Sequence, residues 1–312
     1  MWTLLELGSA TSNPEGRDDL ENCMTPAKSK KTSTSTASRE VGKSARIAVI
    51  GAGKMGGILL QAFLKRGLFT REQACATVQH PEKAAALSKS LGIPVYTDNV
   101  KAVRQADIVL LCVKPQVVRT ALAQMRRALS PAKLIVSIAA SVPTSYIEES
   151  VPARVPVVRA MPNTPCLVGK GMTAVSGGLH ADADHLETAR KLFEVVGRSV
   201  IVDGKHMDAI TGLSASGPAY IYIILESLAE AGVKVGLPRD MATLLSAQTV
   251  LGAASMVLET GDHPALLKEA VTTPAGCTID GILELEDGKL RVTLIKAVVK
   301  AAQRAKELLI QS

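Results

Sequence analysis

Short apolar runs alternate with amphipathic stretches through residues 46–205. Several runs are apolar at every position, which is typical of strands buried on both faces of a parallel sheet. Helices are predicted between them, over about 54–66 and 81–91. Predicted strands cover 47–50, 76–78, 94–96, 107–112, 134–138, 155–158, 173–175 and 200–202. This alternation predicts an α/β fold with a doubly wound parallel sheet of the Rossmann type over 45–205.

After about residue 205 only helical patterns remain. A helix is predicted from Ser216, its cap, with Pro218 in the first turn, to Gly232. Residues 219–225 of this helix are apolar on all sides, which predicts burial. A domain of this size cannot bury so apolar a helix alone, so at least a dimer is expected. Residues 206–312 are thus predicted to be an all-α dimerisation domain, with further helices over 238–261, 264–270, from the 273–278 loop onward, and over 289–310.

Residues 1–44 differ from the rest of the chain. They have no hydrophobic period, so they cannot bury enough apolar surface to fold, and we interpret them as a disordered extension dispensable for catalysis. This segment carries acidic residues, unlike a transit peptide, and lacks an apolar signal core. The five cysteines of the chain are far apart, with no CxxC pair. A reducing compartment is favoured, and we expect a cytoplasmic protein.

Composition narrows the classes of function. The net charge of +7 attracts anions, a phosphorylated cofactor among them. Aromatic residues make up only 3% and no stripe of Lys and Arg follows one helix, so nucleic acid is not expected as a partner. No uncharged apolar run of membrane-spanning length is apparent, so no membrane association is expected.

A glycine-rich loop follows the first predicted strand and opens a helix. It reads Gly51-Ala52-Gly53-Lys54-Met55-Gly56, in the context that a dinucleotide site requires. Gly51 would permit the tight turn, Gly53 the approach of a pyrophosphate, and Gly56 close packing of helix on strand. The alternative is a glycine-rich turn that binds nothing.

The end of the second strand bears on the choice of cofactor. It reads Gln79-His80, with no carboxylate to hold a ribose 2′-hydroxyl, so a 2′-phosphate would meet no repulsion. His80 and Lys83 either approach that phosphate or are ordinary solvated residues. NADPH is therefore expected as the cofactor, with NADH as the alternative.

Further cofactor contacts are expected where other strands end, because ligands bind at the carboxyl edge of such sheets. Plain turn chemistry is the alternative for each of these positions. The candidates are Val113, Lys114, Pro115, Ala139, Ala140 and Asn163.

A loop of small and hydroxyl residues, 272–278, precedes a C-terminal helix. Its exposed amides are expected to bind a small carboxylate, since a helix start attracts anions. The alternative is a plain cap, with Thr273 capping and Pro274 at the first helical position. The spacing of His180 and His185 matches no standard metal site, so no metal is expected.

Together these residues resemble the pyrroline-5-carboxylate reductase family over about 46–309. The most specific stretches are 211–220 (Thr-Gly-Leu-Ser-Ala-Ser-Gly-Pro-Ala-Tyr), 230–238 (Glu-Ala-Gly-Val-Lys-Val-Gly-Leu-Pro) and 271–278 (Val-Thr-Thr-Pro-Ala-Gly-Cys-Thr). Three residues depart from the family pattern, since Ser141, Ala215 and Ala275 stand where the family has glycine.

The resemblance implies hydride transfer from NAD(P)H to the C=N bond of 1-pyrroline-5-carboxylate, giving L-proline, with no metal and no covalent step. It implies that Gly51, Ala52, Lys54 and Met55 line the pyrophosphate, that Asn99 and residues 113–115 meet the adenosine side and ribose, and that Ala139 and Ala140 lie near the nicotinamide. Thr273, Ala275, Gly276 and Cys277 would bind the substrate, and Thr278, the catalytic residue, would hydrogen-bond its ring nitrogen. Interlocked dimers, and a decamer of five dimers, are implied as well.

Two other classes of function stay open at this point. A different two-domain reductase or dehydrogenase of a small acid would need a catalytic lysine, and Lys234 or Lys268 would have to serve. A non-enzymatic dinucleotide-binding protein would have no need for the hydroxyl groups of the 273–278 loop. Oxidation of NAD(P)H with the imine, compared with keto acids, distinguishes the three.

Overall fold

A computed structural model of the chain describes residues 45–308. The predicted extension, 1–44, and residues 309–312 lie outside the described part. Eight strands form one sheet, close to the predicted positions: β1 Ile47–Ile50, β2 Ala74–Thr77, β3 Val95–Tyr96, β4 Ile108–Leu111, β5 Leu134–Ser137, β6 Val157–Met161, β7 Gly171–Gly177 and β8 Gly197–Ile201.

Twelve α-helices accompany the sheet in the described residues. They are α1 Lys54–Lys65, α2 Pro81–Leu91, α3 Asn99–Arg104, α4 Val118–Met125, α5 Thr144–Ser150, α6 Ala183–Glu194, α7 Met207–Ile210, α8 Gly217–Lys234, α9 Arg239–Thr260, α10 Pro264–Ala270, α11 Cys277–Asp287 and α12 Leu290–Glu307. The sequence pattern does not reveal α3, α4 and α5, because helices of six to eight residues are too short to show a period.

The strand order is β3-β2-β1-β4-β5-β6-β7-β8. Neighbours from β3 to β6 are parallel, as predicted. The pair of β6 and β7 is antiparallel, so the prediction of an all-parallel sheet is wrong at this pair. The connection, 162–170, is shorter than the crossover of about a dozen residues that a parallel pair needs. The direction of winding reverses between β1 and β4, where such sheets bind ligands.

Two hydrophobic layers cover the sheet, one on each face. Leu59 and Phe63 of α1 pack with Phe193 of α6 on the first face. Leu122 of α4 and Ile147 of α5 pack on the second face. Strand β1 is buried at every residue because it lies between both layers. The doubly wound fold is thereby confirmed.

The first helices after the sheet differ from the prediction that a helix starts at Ser216. Ser216 does not cap a helix start, since its backbone is helical and its side chain makes no cap hydrogen bond. A π-helical stretch, Thr211–Ala215, joins α7 directly to α8, and the Ser216 N–H donates to the Thr211 carbonyl oxygen at 3.0 Å. We call this stretch the π segment. Its Gly212 lies against α12, where an added Cβ would come within 2.7 Å of the Ala302 nitrogen.

Helices α8 and α9 are more exposed than their sequences predict. Ile221, Tyr222 and Ile223 of α8 are 41%, 59% and 64% exposed in the single chain, so one protomer does not bury 219–225 and their burial in a dimer stays a prediction. Helix α9 is long and apolar enough to cross a membrane by composition, and only 11% of its apolar window is buried. The expectation that no such run exists is therefore also wrong. Residues 241–258 carry no charge, although Ser, Thr and Gln interrupt them.

Candidate active site

The glycine loop after β1 is built by contacts with two neighbouring strands. Gly51 has φ +85°, and a Cβ there would lie 2.7 Å from Val113 Cγ1 of the loop after β4. The Gly51 N–H donates to Thr77 Oγ1 at 3.2 Å, and the Ala52 N–H donates to the Thr77 carbonyl at 2.7 Å. The loop is thus fixed to the ends of β2 and β4.

The other two glycines have the roles predicted for them. A Cβ on Gly56 would come within 2.7 Å of the Gly51 carbonyl oxygen and 2.9 Å of Cys112 Cβ, so α1 packs too closely for any side chain. A Cβ on Gly53 would meet nothing within 4 Å, because this glycine faces open space. A ligand can therefore reach the backbone at Gly53.

The start of α1 fits a pyrophosphate. Gly53 is the N-cap and offers no side-chain cap, so the first N–H groups of the helix, at Lys54, Met55 and Gly56, have no capping partner. These amides and the exposed Lys54 side chain suit a dianionic group at the positive end of the helix dipole.

The adenosine side of the site is open to solvent. Gln79 and His80 are exposed at the end of β2, and His80 Nδ1 lies 3.9 Å from Glu82 Oε1 in the first turn of α2. Asn99 begins α3 after β3, and its Nδ2 donates to Gln124 Oε1 at 2.8 Å. All three predicted residues therefore lie at the same edge of the sheet as the glycine loop.

The loops after β4 and β5 lie on the other side of the switch point. Val113, Lys114 and Pro115 follow β4 and lead into a short 3-10 helix, with Lys114 exposed. Ala139 is buried and Ala140 half-buried in a turn after β5, closed by the Val142 N–H to the Ala139 carbonyl at 3.4 Å.

Asn163 is at the same edge, but its amide already has protein partners. Its Nδ2 donates to the Ser214 carbonyl oxygen at 3.2 Å, and its Oδ1 accepts from the Met172 N–H at 2.9 Å. Asn163 thus joins the end of β6 to the π segment and to β7. Its contact with a cofactor stays a prediction.

The 273–278 loop precedes α11 as predicted, but its cap differs. Helix α11 begins at Cys277 with Gly276 as the N-cap, so the alternative in which Thr273 caps and Pro274 starts the helix is wrong. A Cβ on Gly276 would clash with Thr273 Oγ1, so any side chain there would have to displace the threonine hydroxyl. The first amides of α11, including that of Thr278, have no side-chain cap.

Two residues that replace family glycines adopt left-handed backbone. Ala275 has φ +55° in the 273–278 loop, and Ser141 has φ +61° in the turn after β5. L-residues pay a steric penalty in this conformation, which explains why glycine is typical there. The resemblance to a glycine-bearing motif was the only signal of this geometry in the sequence.

Among the described residues, no hydrogen bond joins the glycine loop after β1 to the 273–278 loop of the same chain. Thr273, Ala275 and Cys277 are exposed, while Thr278 is half-buried. Most of the 273–278 loop is therefore open to solvent in the single chain.

Cysteines at the site are packing groups. Burial raises the pKa of the Cys112 thiol far above its usual range, and it raises that of Cys75 in β2 to about 11. Both thiols stay protonated at neutral pH and are poor nucleophiles.

His185 has a structural role at the start of α6. Asp182 and His185 form a capping box there, with the His185 N–H donating to Asp182 Oδ1 at 2.9 Å.

Two family models match complementary parts of the chain. Residues 204–308 match the model described as pyrroline-5-carboxylate reductase dimerisation, and residues 46–141 match one described as NADP oxidoreductase, coenzyme F420-dependent. Pyrroline-5-carboxylate reductase of Methanosarcina acetivorans is 43% identical over 84% of this chain and 97% of its own length. The chain belongs to the pyrroline-5-carboxylate reductase family.

Other members of the family are similar over the same region. The Arabidopsis thaliana enzyme is 41% identical over 85% of this chain and 96% of its own length. The structure of the Coxiella burnetii reductase superposes with a TM-score of 0.79 at 35% identity, covering 85% of this chain and 99% of that one. The Plasmodium falciparum reductase, solved with NADP bound, gives a TM-score of 0.78 at 29% identity, covering 86% and 99%.

Proposed function

We propose that this chain reduces the C=N bond of 1-pyrroline-5-carboxylate with NADPH and so makes L-proline. The observation that carries the proposal is that one chain has two helix starts suited to anions, those of α1 and α11, as the resemblance to this reductase family implies. The glycine loop offers open amides to a pyrophosphate, and the 273–278 loop offers amides and hydroxyls to a small carboxylate.

NADPH, when bound, supplies a hydride to the carbon of the substrate's C=N bond. Lys54, Met55 and Gly56 would hold the pyrophosphate with their amides. Gln79 and His80 would lie near the 2′-phosphate, and Asn99 near the ribose. Val113–Pro115 would border the cofactor beyond the switch point, and Ala139 and Ala140 would border the nicotinamide. NADH is the alternative cofactor.

The protein's contribution to the reaction is position and charge. Amides at the start of α11, with Thr273, Ala275, Gly276 and Cys277 around them, would hold the substrate carboxylate at the positive end of the helix dipole. Thr278 would place its hydroxyl at the ring nitrogen and support the proton there. Holding both reactants in one geometry lowers the entropic part of the barrier.

The match to the dimerisation model supports a dimer through the helical region. We propose that the exposed apolar faces of α8 and α9 are covered by a second copy rather than by lipid, and that five dimers associate into a decamer. We also propose that the dinucleotide-binding domain ends near residue 205 and that the helical domain, which forms the dimer, follows it. Light scattering without detergent should give the mass of a dimer or a multiple of it; a monomer at micromolar concentration contradicts the proposal.

We also propose a cytoplasmic location, which the absence of a disulfide among Cys75, Cys112, Cys166 and Cys277 supports. A fluorescent fusion of the full chain should fill the cytosol, and enrichment in an organelle would contradict this.

Residues 1–44 are predicted to be dispensable for catalysis. A chain that begins near Lys43 tests this prediction and should keep full turnover.

One assay tests the proposed activity. The purified full chain should oxidise NADPH when the cyclic imine is added, and much more slowly with a panel of 2- and 3-keto acids. Equal or faster turnover of a keto acid would favour the dehydrogenase alternative. No turnover with any of them, despite NADPH binding, would favour a non-enzymatic protein.

A further inference from the structure

A small hydrophobic cluster joins the sheet to the helical region, directly beside the turn after β5. We call it the junction cluster. It consists of buried Met161, Ala174 and Met207, with Ala140, Val202, Ile210 and Ala215 packed against it. Ala140 belongs to the turn that is expected to border the nicotinamide. The position of that turn therefore depends on how α7 and the π segment pack.

Two polar contacts hold α7 and the π segment onto β6. The Arg159 guanidinium in β6 donates through Nη2 to Asp208 Oδ1 in α7 at 3.4 Å. The Asn163 amide after β6 donates to the Ser214 carbonyl at 3.2 Å. The Arg159 side chain is only 7% exposed, and that of Asp208 is 38% exposed.

The buried positive charge of Arg159 has few partners to compensate for its loss of water. Its Nε has no hydrogen-bond partner, and among the described residues only the Asp208 carboxylate lies within ion-pair distance of the guanidinium. Burial lowers the pKa of the Arg159 guanidinium, and Asp208 opposes that shift. Buried ion pairs seldom add net stability, and apolar replacements are often neutral. The pair is better explained by the geometry it sets than by the stability it adds.

The turn that this geometry supports is weak by itself. Ser141 has left-handed backbone at φ +61°, and its buried hydroxyl has no hydrogen-bond partner. The hydrogen bond that closes the turn is long, at 3.4 Å between the Val142 nitrogen and the Ala139 oxygen. Ala139 and Val142 are buried in the hydrophobic layer on the second face of the sheet, and the Ala139 N–H donates to Ser137 Oγ at 3.3 Å. Between them, Ala140 packs on the junction cluster, so the cluster restrains the side of the turn that faces the helical region.

We infer that Arg159 and Asp208 are positioning residues for hydride transfer. Their ion pair holds α7 and the π segment against the junction cluster, and the cluster fixes the 139–141 turn at the nicotinamide end of the site. Neither residue acts as a ligand of the cofactor. The expected effect on hydride transfer rests on the proposed function, whereas the expected effect of the ion pair on the 139–141 turn rests on the fold alone.

Three variants of the full chain test this: Arg159→Met, which removes the buried charge at similar volume, Asp208→Asn, which keeps the shape, and Arg159→Lys, which restores a charge. We expect kcat for the imine to fall about 10- to 100-fold in the first two, because a small misplacement of reactants has effects of that order. The dissociation constant for NADPH should change by less than about threefold, since the pyrophosphate loop is untouched. Arg159→Lys should recover part of kcat.

Two further measurements separate position from general stability. The primary isotope effect with NADPH deuterated at the transferred position should rise, because hydride transfer becomes more rate-limiting. Amide hydrogen exchange of 139–142 and 207–215 should become faster in the absence of cofactor. Arg190→Met is the matched control, since Arg190 on α6 pairs with Glu187 away from the junction, and it should leave all of these values at the parent level.

Folded Arg159→Met and Asp208→Asn proteins with parent kcat, isotope effect and exchange would overturn the inference. Loss of NADPH affinity as large as the loss of kcat would also overturn it, because Arg159 would then be a cofactor ligand. If Arg159→Met fails to fold, Asp208→Asn decides. If the parent chain does not reduce the imine, the proposed function fails, and the exchange measurement still decides the structural part.

Discussion

Helices α1 and α11 both begin after a glycine with uncapped amides, but their surroundings differ. The start of α1 is enclosed by the ends of β2 and β4, with hydrogen bonds to Thr77 and close packing on Cys112. The start of α11 is part of the exposed helical region, and its loop includes a strained alanine. The first site is thus built from several elements of the sheet, whereas the second is a local structure that is mostly exposed in the single chain. Changes at the first site should therefore affect fold and binding together, and changes at the second mainly chemistry.

Gly56→Ala should give the largest effect. The added Cβ would approach the Gly51 carbonyl oxygen to 2.7 Å, and backbone cannot move away at low cost. We expect a loss of about 1–3 kcal/mol in the free energy of unfolding and an NADPH affinity lower by about 100-fold. Gly57→Ala is the control, because its nearest contact would be an ordinary 3.9 Å from the Ala52 oxygen. Denaturant unfolding and fluorescence titration measure both, and equal behaviour of the two variants would contradict close packing at Gly56.

Thr278→Val should reduce turnover with little effect on the fold. The hydroxyl is removed at constant shape, and a hydrogen bond to a charged partner contributes about 1.5–3 kcal/mol. We expect kcat/KM for the imine to fall about 10- to 100-fold at an unchanged Tm. Thr272→Val is the control, since that hydroxyl donates to the Lys268 carbonyl at 2.8 Å instead. Parent-level kcat/KM in Thr278→Val would assign the ring nitrogen to water or another group.

Thr273→Val should leave stability unchanged and raise KM for the imine. The sequence alone suggests a loss of about 1 kcal/mol from a missing cap. The structure replaces that expectation, because Gly276 and not Thr273 is the N-cap of α11. A clear drop in Tm for this variant would show that the threonine supports the helix start after all.

Gln79→Asp should shift the cofactor ratio at the first site. A carboxylate at the end of β2 would repel a 2′-phosphate and favour a free ribose hydroxyl. We expect kcat/KM for NADPH relative to NADH to fall about 10-fold. Gln79→Asn keeps the charge and should keep the ratio. An unchanged ratio in the aspartate variant would place the 2′-phosphate elsewhere.

Ala275→Gly should have the smallest effect, with the opposite sign. Glycine removes the steric cost of φ +55°, about 1–2 kcal/mol, but adds backbone entropy to the unfolded chain. The net gain expected in the free energy of unfolding is up to about 1 kcal/mol. Ala85→Gly in the middle of α2 is the control and should lose about 1 kcal/mol. Loss of stability in Ala275→Gly would show that the methyl group packs in the assembled protein.

Much of the fold could be predicted from the sequence because its signals are local. The buried strands β1, β4 and β5 are continuous apolar runs, and α9 and α10 are bounded by Pro238, Gly261 and Pro264 at the predicted places. The glycine loop was identifiable because Gly51 and Gly56 each meet a backbone requirement that a side chain would violate, while Gly53 leaves open space for a ligand. Periodicity and glycine spacing report such requirements directly.

The features that the sequence did not reveal have two kinds of cause. The antiparallel direction of β7 follows from the short connection after β6, whose length is visible only when both strand ends are known. The other features depend on residues far apart in the chain. The exposure of α8 follows from a surface that one protomer does not cover. Arg159 and Asp208 are 49 positions apart, and nothing in either sequence neighbourhood indicates a pair. Local sequence thus determined the elements and the cofactor loop, whereas tertiary packing alone decided the exposure of α8 and the contacts between sheet and helices, because those depend on which distant surfaces meet.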